Sequence, residues 1–235
     1  MLEGKRIIVT GAARGMGAAT LLAYVTAGAQ VVGMDVNDEL GRQIAEAAAD
    51  SGPGSATYKH VDVADRASIE SAFSAAAEQM GGLDVLAHPA AIQAASDAGD
   101  VSVEHWDQMF AVNVRGTMLT NQIAYRYIKA EGGGSIINFG SISGQRPEPG
   151  AAAYSAAKGA VHSWTRTAAG TWGKDGVRVN AILPAMATPM YQEAMSKMTE
   201  EQTTASYWMN LQSIALGNKY GDPLTDLGPV MVFFA

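Results

Sequence analysis

The chain has 235 residues, 48% of them hydrophobic and 17% charged, enough apolar side chains for one sizeable core and too many for a disordered or fibrous protein. With no cysteine, disulfides, cysteine-bound zinc, iron–sulfur clusters and thiol catalysis are excluded. Lys plus Arg number 16 against 23 Asp plus Glu, a formal net charge of −7 with no basic run, which argues against a nucleic-acid surface.

Apolar, β-branched runs alternate along the chain with longer alanine-rich runs. Residues 5–10 predict a first strand, then a glycine-rich turn and a helix over 16–27. Strand 30–35, helix 38–50, strand 57–61 and helix 66–80 follow, then a fourth strand over 83–87. One long helix is predicted over 103–129, a fifth strand over 135–139, a helix over 154–172 and a strand over 177–183. Such β-α units need right-handed crossovers, so the fold class is α/β, a doubly wound parallel sheet in a single domain over 1–235. Between Pro184 and Pro223 the rhythm breaks in a stretch that holds Met186, Met190, Tyr191, Met195, Met198, Tyr207, Trp208 and Met209. Residues 185–221 read as a substrate lid, because insertions after strand C-termini border α/β ligand sites; a packed helix pair or subunit contact is the plainer alternative. No apolar run nears the roughly 18 residues that cross a bilayer, and residues 1–6 lack a signal core, so a soluble cytoplasmic protein with no membrane partner is expected.

Thr10-Gly11-Ala12-Ala13-Arg14-Gly15-Met16-Gly17 lies between the first strand and the first helix. Glycines there permit a tight turn and bring backbone N–H groups of Gly11, Arg14, Gly15, Met16 and Gly17 to a pyrophosphate. No Gly-Lys-Ser/Thr follows, which excludes a Walker-type turn. Asp35, closing the second strand, stands where an acidic residue would accept hydrogen bonds from an adenosine ribose and repel a 2′-phosphate, so the cofactor expected is NAD. Arg14 pulls weakly the other way, toward a phosphate.

Tyr154 and Lys158 stand at i and i+4 on one helix face, where an ammonium can lower a phenol's pKa from about 10 and make it an acid or base. Ser141, at the end of the fifth strand, places a hydroxyl where it can meet the same substrate oxygen. These features resemble the short-chain dehydrogenase/reductase family, with its Thr-Gly-x-x-x-Gly-x-Gly turn, Tyr-x-x-x-Lys pair and upstream Ser. The resemblance implies that Tyr154 exchanges the proton of a substrate hydroxyl, that Lys158 lowers the Tyr154 pKa and holds the nicotinamide ribose, and that Ser141 binds the substrate oxygen. It further implies that Asn113 holds a water in the proton relay, that Asp62 and Val63 meet adenine, and that Ala90, Pro184 and Thr188 border the cofactor. For Asn113 the plainer alternative is a helix asparagine bonded back to a carbonyl, and for Asp62 a helix N-cap.

The family pattern is broken in places. His88-Pro89-Ala90-Ala91 stands where the family has Asn-Asn-Ala-Gly, and Ala185 replaces a glycine, with Thr188 arriving one residue early. His60, His88, His105 and His162 show no zinc-ligand spacing, so no metal is expected. Residues 233–235 fall inside what resembles the last regular core helix, so a missing last strand and an unpartnered edge at 178–182 are expected, in a short form or in part of a longer chain. The function expected is hydride transfer between NAD(H) and a small, fairly apolar secondary alcohol or ketone, in a homo-oligomer (tetramer or dimer) built through the helices that hold Asn113 and Tyr154. The alternative is a dinucleotide-binding regulatory protein with little turnover.

Overall fold

The computed structural model describes residues 1–196, 198–209, 211–214 and 217–235, with side chains described at all of these but 189, 190, 194, 205–209 and 213. Six parallel strands, β1 (Arg6–Thr10), β2 (Gln30–Asp35), β3 (Ser55–His60), β4 (Val85–His88), β5 (Gly134–Phe139) and β6 (Val177–Ile182), form one sheet in the order β3-β2-β1-β4-β5-β6. The strands are near-continuous apolar runs because a parallel sheet covered on both faces buries both sides of every strand. Ile8, Val32, Leu86 and Ile136 point to one face and pack with Ile69, Phe73, Leu119 and Ile123. Ile7, Val9, Val31, Val85 and Ile137 point to the other and pack with Leu21, Tyr24 and Val25.

Helices α1 (Gly15–Thr26), α2 (Asp38–Ala49) and α3 (Arg66–Met80) link the first strands as expected. The long helix predicted over 103–129 is instead α4 (Val103–Phe110), a π-helical turn (Ala111–Arg115) and α5 (Gly116–Ala130). Apolar spacing does not register one extra residue in a turn, so the interruption was invisible to periodicity. The fourth strand is shifted forward, taking in His88, which pairs with Asn138 in the ladder. After α6 (Ala152–Trp172) and β6 come α7 (Pro189–Ser196), α8 (Glu200–Met209) and, beyond a π-helical turn (Pro223–Leu227), α9 (Gly228–Phe234). Of the lid residues singled out by sequence, the side chains of Met190, Tyr207, Trp208 and Met209 lie outside the described residues. β6 is the last strand of the sheet.

The first three strands and the last three run outward from the β1/β4 junction, the point where strand order reverses and where such sheets open a crevice at their C-terminal ends. Thr10, Asp35, His60, His88, Phe139 and Ile182 are the C-terminal residues of their strands, so the segments that hold the glycine turn, Asp62, Val63, Ala90, Ser141, Pro184 and Thr188 leave the sheet on this one edge. Among the described residues no helix is long and apolar enough to cross a membrane.

Candidate active site

The turn after β1 passes through Gly11 (φ +62°) and Gly15 (φ +56°), a backbone conformation that L side chains rarely adopt. A Cβ on Gly17 would collide with the Gly11 carbonyl oxygen, and one on Gly11 would stand 2.7 Å from Ala90 Cα. The family-breaking loop after β4 therefore lies directly against the turn. Thr188 approaches from the other side, its Cγ2 being 3.7 Å from where a Gly15 Cβ would stand. Asn37, Asp65 and Ser102 cap α2, α3 and α4 with their side chains, whereas Arg14 gives α1 no side-chain cap and its first turn holds no acidic residue. The first amides of α1 are thus left for an anion, which is the fit a pyrophosphate requires.

Asp35 accepts Ala13 N–H at 3.1 Å on one carboxylate oxygen and Asn37 N–H at 3.0 Å on the other. Each oxygen keeps a lone pair, so the carboxylate is fixed beside the turn with capacity for hydroxyl donors. Arg14 is exposed. Asp62 is exposed and accepts Ala64 N–H at 2.8 Å, so the helix N-cap is Asp65 and not Asp62, because the bend at Asp62 sets the helix start three residues on. Val63 is buried and packs on Gly116 of α5, where any side chain would meet the Val63 carbonyl at 2.9 Å. Met16 packs half-buried on the core, and Pro184 is half-buried just past β6. The shortened loop is accommodated by main-chain bonds from Gly221 N–H to the Ala185 carbonyl (2.9 Å) and from Ala187 N–H to the Gly221 carbonyl (2.8 Å). Thr188 Oγ1 accepts Tyr191 N–H at 3.2 Å, starting α7.

Tyr154, Lys158 and Ser141 stand together, Ser141 in hydrogen-bond contact with Tyr154 and Lys158 beside its ring. Lys158 is buried, its Nζ 5.5 Å from the centre of the Tyr154 ring and donating to the Phe139 carbonyl at 2.7 Å. Burial lowers its pKa to about 8, so it is still an ammonium at neutrality. The Tyr154 phenol departs from the expectation. Burial raises its pKa above the usual 10, its hydrogen bond with Ser141 pulls it back in part, and Glu148 adds to the rise. Lys158 is turned to a carbonyl, so desolvation outweighs it and the phenol stays protonated in this arrangement. Asn113 sits within the π-helical turn, fully buried, and does not bond back to its own helix's carbonyls. Its Oδ1 accepts Ile92 N–H at 2.9 Å and its Nδ2 donates to the Ile92 carbonyl at 2.8 Å, clamping the loop after β4.

Two imidazoles that the sequence reading set aside stand beside Lys158. His162, one turn beyond Lys158 on α6, accepts Ser141 N–H on Nε2 at 3.2 Å. Tyr154, Lys158 and His162 follow at i, i+4 and i+8, a signal present in the sequence but read only for metal spacing. His88 Nδ1 lies 2.7 Å from Thr10 Oγ1, bracing β4 to β1 where the family's asparagine would, and burial drives its pKa down to about 3. Among the described residues no group of three or more His, Cys, Asp or Glu is placed to hold a metal ion.

A glycine turn thus opens α1, and Ser141, Tyr154 and Lys158 lie in contact. The sequence pattern of the short chain dehydrogenase family matches residues 5–200. The chain belongs to that family. Among its relatives it is 35% identical over 235 residues to the 2,5-dichloro-2,5-cyclohexadiene-1,4-diol dehydrogenase LinX of Sphingobium indicum, covering 100% of this chain and 90% of the relative. It is 36% identical over 185 residues to D-threitol dehydrogenase of Mycolicibacterium smegmatis, covering 79% and 71%. The crystal structure of levodione reductase superposes with a TM-score of 0.90 at 25% identity, covering 100% of this chain and 91% of that one. As a short-chain dehydrogenase the protein is an oxidoreductase with the family's Rossmann-like α/β sheet.

Proposed function

We propose that this short-chain dehydrogenase interconverts a secondary alcohol and a ketone with NAD(H), Tyr154 being the acid/base. The observation that carries this reading is the half-buried Tyr154 phenol in hydrogen-bond contact with Ser141, its ring beside the Lys158 ammonium. The turn amides of residues 11–17 would hold the pyrophosphate and Asp35 the adenosine ribose, whose 2′-phosphate its charge would repel, which favours NAD. Val63 and Asp62 would border adenine, and Ala90, Pro184 and Thr188 the nicotinamide end. Bound there, nicotinamide supplies the acceptor or donor of the hydride. Ser141 orients the substrate oxygen and steadies charge that develops on it. For reduction, the protonated phenol of Tyr154 is in the form that donates to the new hydroxyl. For oxidation, the proton must leave Tyr154 first, and the ammonium of Lys158 favours the phenolate so formed. Asn113 clamps the loop after β4 at Ile92 to the π-helical turn between α4 and α5.

The relatives named above act on a cyclic diol and a sugar alcohol. Here Tyr191 and Tyr220 meet edge-on at 4.7 Å within the 185–221 segment, which supports a lid over a fairly apolar small molecule. A groove between α4, α5 and α6, whose lining includes Phe110, Val114, Met118 and Trp164 with Asp107 and Arg115 among its polar groups, supports assembly as a dimer or tetramer. The test is to follow NADH absorbance over a panel of secondary alcohols and ketones. Tyr154→Phe is expected to lower turnover at least about 100-fold while NADH still binds, with NAD preferred to NADP in the parent. Undiminished turnover in that variant removes Tyr154 from the role, and tight NADH binding with no turnover in the parent assigns the regulatory alternative.

A further inference from the structure

Ser141 opens a short 3₁₀ turn (Ile142–Gly144), and its hydroxyl is shared between Ser143 Oγ at 3.0 Å and Ser143 N–H at 3.2 Å. Those bonds are local and would travel with the loop. The hydroxyl also meets the Tyr154 phenol on α6, and the loop's main chain is tied to that helix through the Ser141 N–H, which donates to His162 Nε2. A backbone N–H can only donate, so Nε2 must carry the lone pair, and the ring proton of neutral His162 sits on Nδ1. The surroundings are built around this imidazole. A Cβ on Gly140 would collide with His162 Nε2, and one on Gly144 would come within 2.9 Å of His162 Cε1, so both ends of the serine loop are glycines where they cross the ring. His162 itself is only 7% exposed.

We propose that His162 is a positioning residue for Ser141: as acceptor of the Ser141 N–H it fixes the serine loop to the same helix face that carries Tyr154 and Lys158. This rests on the reading of Ser141 as the group that holds the substrate oxygen. The neutral ring is the form the site favours, since burial and the nearby Lys158 and Arg166 cations lower its pKa. A proton on Nε2 would remove the acceptor and set a third cation in the cluster. Through this main-chain bond, beside the side-chain contact with Tyr154, the helix that supplies acid/base chemistry also sets the position of the hydroxyl that must meet the same substrate atom.

Two variants and a cycle test it. His162→Leu keeps bulk and removes the acceptor, whereas His162→Gln can return one. His162→Leu is expected to lower kcat about 10-fold with NADH affinity unchanged, and His162→Gln to restore most of the loss. In a Ser141→Ala background His162→Leu should change kcat less than about twofold, because the hydroxyl it positions is gone. An equal loss in both backgrounds, or none in either, overturns the proposal. The imidazole ¹⁵N shifts of the parent protein read the tautomer without any turnover: Nδ1–H with an unprotonated Nε2 supports the proposal, and Nε2–H overturns it. Should Ser141→Ala leave kcat untouched, the reading of Ser141 fails separately, while those shifts still decide the hydrogen bond.

Discussion

His88 shows how much one side chain can change at constant fold. It is 2% exposed, its Nδ1 is engaged with Thr10, and its Nε2 is buried without a partner among the described residues. A cationic imidazole there would be desolvated and close to Lys158, so the pKa falls from 6.5 to about 3. The unfolded chain therefore takes up the proton first as pH falls. Between pH 6.5 and 3 it binds more protons than the native state, so stability declines with falling pH and is fully present above 6.5. The loss expected from His88 between pH 7 and pH 5 is about 2 kcal/mol, at about 1.4 kcal/mol per unit of pH below the unfolded value. Urea midpoints for the parent and His88→Asn at both values measure it, and a parallel decline in the two proteins would exclude His88 as the cause. Tyr154 makes the related point that a pair at i and i+4 reveals nearness, while the sign of a pKa shift depends on how much water each group has lost.

Among the elements, α1 is distinctive for the glycine turn that leads into its uncapped N-terminus. Asn37, Asp65 and Ser102 cap α2, α3 and α4 with their side chains, whereas α1, like α5, α6 and α9, has no side-chain cap. Its third residue, Gly17, touches backbone at Gly11, so even the smallest side chain must push the turn open. Gly17→Ala is expected to weaken NADH binding at least about 10-fold and to destabilise the protein by about 1–3 kcal/mol, read by fluorescence titration and thermal melting. Unchanged binding in a folded variant would show that the turn does not cradle the dinucleotide. This helix and its glycines were legible in the residues because a strand, a turn and a helix in series each leave a local mark. The π-helical turn that carries Asn113 was not, since its amide is matched to Ile92, 21 residues away in sequence, and local spacing contains no trace of that partner.

At the scale of the molecule, the sheet brings segments from six strand ends to one edge, and the helices beside it leave an apolar surface. Trp106, 38% exposed, stacks on Phe110 at 4.5 Å next to the groove between α4, α5 and α6. If two copies meet there, an acidic group in place of the indole removes a large aromatic contact and buries a charge. Trp106→Asp is expected to weaken self-association by about 2 kcal/mol or more, near 30-fold, seen by light scattering as a shift to smaller species on dilution. A parent that scatters as a monomer, or an unaltered dilution curve in the variant, would take this face out of the assembly.

What the residues decided alone was whatever depends on short-range order: strand and helix alternation, the glycine turn with its acidic partner at Asp35, and the face shared by Tyr154 and Lys158. Periodicity and spacing are properties of a few consecutive peptide units, and they survive in a linear string. Only the folded molecule decided the rest: that His162 holds Ser141, that His88 takes over the bracing of β4, that Thr188 reaches Gly15 across a shortened loop, and that the phenol's pKa goes up. Each of these depends on desolvation or on contacts between segments far apart in the chain, and those distances exist only once the sheet has closed the crevice.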